Sequence, residues 1–110
     1  MPDLSVSELV GDMLGAVKQS LGKDFGKAKD FAKPELQRLA RSLVDIAKLV
    51  AERKVTQQQA RSLLEIHRNT TKVVLLTIQG LGIIAVENAL NAAFDVIRTT
   101  VNRAVKFALI

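Results

Sequence analysis

The side chains that could do chemistry are few and scattered. His67 is the one histidine in 110 residues, and there is no cysteine. The nearest carboxylate in sequence is Glu65, but residues two apart on a helix point about 160° away from each other, so the two cannot chelate a metal. A di-iron bundle site needs Glu-x-x-His motifs on facing helices, and the chain contains none. His67 therefore reads as a residue of the Leu64 face with its polar edge satisfied. Serine and threonine hydroxyls have no partner base in any nucleophile motif. Gly80-Leu81-Gly82 is the nearest approach to a phosphate loop, and no strand precedes it. The expectation is a non-enzymatic chain with no cofactor, no metal and no small-molecule substrate.

Two polar clusters remain. Glu87, Asn91, Asp95, Arg98, Asn102 and Lys106 recur at steps of 4-4-3-4-4, one stripe along a helix. A solvated stripe explains them. The functional counterpart has Glu87 and Asn91 turned inward in an oligomer, where their hydrogen bonds would fix its register. The second cluster is Lys18, Lys23, Lys27, Lys29 and Lys33, in a chain of formal net charge +5. A solvated helix face explains these too. The alternative is an anionic partner, either phospholipid headgroups or a nucleic-acid backbone. Asp24 and Asp30 lie among the lysines and count against nucleic acid. So does the absence of Trp and Tyr, which supply stacking platforms for single strands.

The elements that must carry these residues are helical throughout. Ser5 and Glu8 have capping-box spacing, with Leu4 and Leu9 placed as a hydrophobic staple. Val6, Val10, Met13, Val17, Leu21, Phe25, Ala28 and Phe31 then follow at steps of three and four, predicting a helix over 5–32. Gly11, Gly15, Gly22 and Gly26 fall within about 60° of one another on that helix. They predict either close helix packing or a break near Gly22. Pro34 suits the first position of a new helix and pushes Lys33 out of the α region. Leu36, Leu39, Leu43, Ile46 and Val50 step 3-4-3-4 along a helix over 34–54. Thr56 and Gln59 form a second capping box after a connection of two or three residues. Such a short link makes antiparallel neighbours.

From 57 to 108 no proline interrupts the chain, and 73–86 reads VVLLTIQGLGIIAV. A helix apolar on all sides must be covered on all sides. The favoured architecture is an all-α antiparallel hairpin or bundle in one domain. Its continuous C-terminal helix over 57–108, about 78 Å long, is lined by helices 5–32 and 34–54. The alternative is an up-down four-helix bundle with a turn at 79–82. That turn has two glycines in its favour. Against it stands the cost of backbone polar groups stranded among Leu75, Leu76, Ile78, Ile83 and Ile84.

A single antiparallel layer cannot cover such a rod. Self-assembly is therefore expected through Val73, Val74, Leu76, Ile78, Leu81, Ile83, Ile84, Val86, Leu90, Ile97 and Val101. Gly80 and Gly82 would join the four earlier glycines in close helix packing. The rival cover is lipid, by insertion, pore formation or coating of an anionic surface. The 14 residues of 73–86 fall short of the roughly 20 a span needs, which favours a homo-oligomer core. The opening MPDLSVSEL has no basic segment followed by an apolar one. The cytoplasm is expected, with membrane association as the alternative. The apolar ending AVKFALI is expected to dock against something.

Overall fold

The computed structural model describes residues 4–110; residues 1–3, where the stretch read for a leader begins, lie outside the described residues. The described chain is an all-α bundle, as its periodicity requires. Its helices are α1 (Val6–Leu21), α2 (Phe25–Ala51), α3 (Gln57–Leu76) and α4 (Ile83–Val105), with a 3-10 turn at Gly22–Asp24 between the first two. Ser5 caps α1 by accepting from the Glu8 backbone N–H at 3.3 Å. Thr56 caps α3 with a complete box: its hydroxyl accepts from Gln59 N–H, and the Gln59 side chain accepts from Thr56 N–H. Helices adjacent in sequence pack together, and α1 closes the bundle against α4 in its most extensive contact.

The continuous helix over 57–108 does not form. The chain measures 42 × 22 × 19 Å, and α2, with 27 residues, spans that long axis at about 40 Å. A 78 Å rod has no place in it. The chain turns at 77–82, and the objection to a turn there is answered locally. Thr77 N–H donates to the Val74 carbonyl, Ile78 N–H to Leu75 and Leu81 N–H to Ile78, all within 3.2 Å. The N–H groups of Thr77 and of the two buried residues Ile78 and Leu81 are thus satisfied by local bonds without a helix. Ile78 and Leu81 tuck into the core while Gln79, Gly80 and Gly82 face solvent. Gly80 takes φ +90°, a backbone open to glycine and strained for other residues.

The first break falls near Gly22, one of the two outcomes that the glycine stripe allowed, and not at Pro34. Pro34 lies inside α2, and α1 ends instead at Gly22, whose φ is +55° and ψ −125°. Pro34 and Asp30 both face solvent. The carbonyl that loses its helical donor to proline can therefore hydrate, and the helix continues through. The shift changes the phase of the apolar stripe. Ala28, Ala32 and Leu36 now face the core, and Phe31 is turned outward to 52% exposure.

The core runs through the whole bundle and includes Met13, Val17, Leu39, Leu43, Leu90, Ile97 and Val101, all at 1% exposure or less. The apolar ending docks within the chain. Lys106 enters the left-handed region at φ 67° and turns the segment back. Asn102 then clamps it, its Oδ1 accepting from the Leu109 and Ile110 N–H groups and its Nδ2 donating to the Ile110 carbonyl. Leu109 is buried.

Candidate interaction surface

His67 sits half-buried between α2 and α3, its Nδ1 3.2 Å from the Ser42 hydroxyl. That hydroxyl donates to the Arg38 carbonyl at 3.0 Å. The hydroxyl thus has two partners, one on α2 and one on α3, and its bonds tie the two helices together at this level. Among the described residues, no three His, Asp or Glu side chains converge as metal ligands would, and no helix is long and apolar enough to cross a membrane.

Glu87 and Asn91, expected to set register between subunits, work within one chain. Glu87 pairs with Lys72 and with Arg68 (3.3 Å), and Arg68 also donates to Asn91 Oδ1 at 2.9 Å. Arg68 lies over the Phe94 ring, 5.7 Å from its centroid. These bonds join α3 to α4 and so fix the register between the two helices. The Lys72 ammonium, then the Arg68 guanidinium, hold the Glu87 carboxyl below its ordinary pKa of 4.5 by hydrogen bonding, against a weaker upward push from burial. A depressed folded-state value stabilises the bundle above the unfolded pKa, and the contribution vanishes as pH falls through the folded one. Glu87→Gln should therefore lower the urea midpoint at neutral pH. Its gap from the unmodified protein should narrow as pH falls below the ordinary value of 4.5 and close once pH has passed below the lowered folded-state one. A gap independent of pH would assign the loss to shape rather than charge.

The residues expected at an oligomer seam divide into three sets. Ile78, Leu81, Val86, Leu90, Ile97 and Val101 are buried in the chain's own core and cannot meet a second copy. Val74 and Leu76 are half-buried. Val73, Ile83 and Ile84 remain exposed at 61, 58 and 74%. The turn at 77–82 explains the division, because it folds α4 back so that α1, α2 and α3 cover most of what a rod would have left bare. The glycines do not mediate close packing either. A Cβ at Gly11, Gly15, Gly22, Gly26 or Gly82 would meet nothing within 4 Å, and one at Gly80 would meet only the Lys27 side chain. The lysines are all exposed but do not form one patch. Lys18 is on α1, Lys23 in the 3-10 turn, and Lys27, Lys29 and Lys33 on α2, with Lys27 paired to Asp24 at 3.1 Å.

What the fold gathers is an apolar face centred on the outer side of α3. Ile66 and Val73 are seven residues apart, within about 20° on the helix. Arg38 of α2 lines one cavity with Ile66 and Thr70, and Phe31 lies one heptad before Arg38 on the same side of α2. On the other flank, the pairing of Lys72 with Glu87 sets Leu76, one turn further along α3, opposite Ile83. Of the six large apolar side chains exposed among the described residues, Ile66 and Val73 lie on α3, Phe31 on α2, and Ile83, Ile84 and Val96 on α4. Phe31 and Ile66 were hidden in the sequence because both fit apolar stripes. Only the break at Gly22–Asp24 reveals that Phe31 is out of phase. No family model, curated protein or solved structure matches the chain.

Proposed function

We propose that the chain is a non-enzymatic interaction protein that assembles with a second copy of itself through the outer face of α3. What supports this reading is that Phe31, Ile66, Val73, Ile83 and Ile84, on α3 and on the two helices next to it in sequence, are each between 52% and 74% exposed. Contiguous exposed apolar patches mark interaction sites. A two-fold pairing needs one self-complementary patch, which a single helix with its two flanks supplies. The charges bordering the patch favour a protein over an anionic lipid surface. Lys27, Arg38 and Lys72 are each paired with a carboxylate of the same chain. They leave little cationic excess to draw phospholipid headgroups.

Sedimentation velocity tests the proposal. The unmodified protein should sediment at twice the chain mass at micromolar concentration, and Val73→Glu with Ile84→Glu should return it to the monomer without unfolding it. Burying a side chain of this size contributes about 1.5–3 kcal/mol, so each substitution should weaken association by roughly ten- to hundredfold. A monodisperse monomer for the unmodified protein refutes the reading.

A further inference from the structure

Two residues apart from Phe31 on α2, Lys33 points about 160° away from it, toward α1. There, α1 and α2 enclose a groove of about 530 Å³ lined by Val6, Ser7, Val10, Gly11, Leu14, Lys33, Gln37 and Arg41. Its lining falls into two rows. Val6, Val10 and Leu14 step by four along α1, and Lys33, Gln37 and Arg41 step by four along α2, each row running about 12 Å. The first row is an apolar floor; the second is a polar rim with a cation at either end.

The rim's charge has no partner among the described residues. No carboxylate of the described residues lines the groove. Lys33 and Arg41 take part in none of the ion pairs formed among the described residues, whereas Lys27, Arg38, Lys54, Arg68, Lys72 and Arg98 all do. The opposite wall is low, because Gly11 carries no side chain and the space beside it is empty. A helix backbone can approach closely there.

We infer that the α1–α2 groove docks an acidic amphipathic helix of a partner protein. The apolar floor receives the partner's apolar row, and Lys33 and Arg41 receive carboxylates two turns apart on its flank, a helix-in-groove arrangement. Charge complementarity selects an acidic partner. The apolar floor offers nothing to a nucleic-acid backbone, and its concavity does not suit a flat bilayer.

The probe is a fluorescein-labelled peptide of about 18 residues, long enough to hold a helix in solution. It carries leucines at helical spacing and glutamates two turns apart. Fluorescence anisotropy should show saturable binding. Replacing the glutamates with glutamine should weaken it roughly tenfold or more, as should Lys33→Glu with Arg41→Glu on the protein. Gly11→Leu should weaken it as much by filling the low wall. Its folding should be unimpaired, because leucine is a better helix former than glycine. The inference is overturned if the unmodified protein does not bind the peptide, or if the glutamine peptide or the doubly substituted protein binds equally well. It also fails if oligo-dT or phosphatidylserine vesicles bind more tightly through the same two cations. Finally, if Lys33→Glu with Arg41→Glu alters the sedimentation of the protein alone, the occupant is a second copy and not a separate partner.

Discussion

Leu90→Ala should lower the melting temperature by roughly 10 °C or more. Leu90 is fully buried in α4. Truncating a leucine in such a place removes the transfer free energy of its methyl groups and leaves a cavity, at a cost of about 2–5 kcal/mol. In a domain of about this size each kcal/mol moves the midpoint by roughly 4–8 °C. The same substitution also separates two ideas about the long apolar stretch. If Leu90 lay in a seam between copies, its loss would weaken association, and the drop would grow on dilution. Because it belongs to the core of one chain, the drop should be the same at protein concentrations a hundredfold apart. The affinity between folded copies should be unchanged. Thermal circular dichroism at the two concentrations measures the first, and sedimentation equilibrium the second.

Two glycines eleven residues apart should respond in opposite directions. Gly22→Ala should destabilise by about 1–3 kcal/mol, since φ +55° with ψ −125° is a backbone that a side-chain-bearing residue adopts only under strain. No neighbour lies within 4 Å of the added carbon, so the whole cost is conformational and cannot be relieved by repacking. Gly11→Ala, in mid-helix and equally open, should stabilise by roughly 0.5–1 kcal/mol, because alanine loses less backbone freedom on folding. Urea midpoints of the two variants should fall on either side of the unmodified protein. If both fell on the same side, Gly22 would not be the residue that ends α1.

The helical content was legible because apolar spacing and capping signals agreed over most of the chain. Thr56 with Gln59 placed the start of α3 to the residue, and the short link before it folded α3 onto α2. The breaks were harder. Pro34 carries the stronger stop signal in sequence, yet on a solvent-facing turn its missing N–H leaves only a carbonyl that water can satisfy. Gly22, one of four similar glycines, bears the actual break. A break near Gly22 was legible as one of the two readings of the glycine stripe, and its φ of +55° is the conformation that ends α1 there. The turn is legible in the sequence as the alternative at 79–82, and what counts against it there is the premise that a turn flanked by isoleucine and leucine must be buried. It lies instead at the bundle end, its apolar side chains inward and its glycines outward.

Much of the interaction surface was illegible for a related reason. Whether Phe31, Ile66, Val73 or Ile84 is core or surface depends on the phase of each helix relative to its neighbours, and one misplaced break rotates every residue after it. The Glu87 network could have been read in part, since Arg68 and Lys72 lie on one face of α3. That they meet Glu87 and Asn91 within one chain follows only from the turn that brings α4 back.

The opposition of Phe31 and Lys33 across α2 has a consequence for valence. Pairing through α3 would leave the α1–α2 groove of each copy uncovered, so a dimer would present two identical grooves facing away from the shared axis. A ligand carrying two acidic helices on a linker of matching span would meet the second groove at high effective concentration. Its avidity could exceed that of a single helix by roughly 10²- to 10⁴-fold with no new contact.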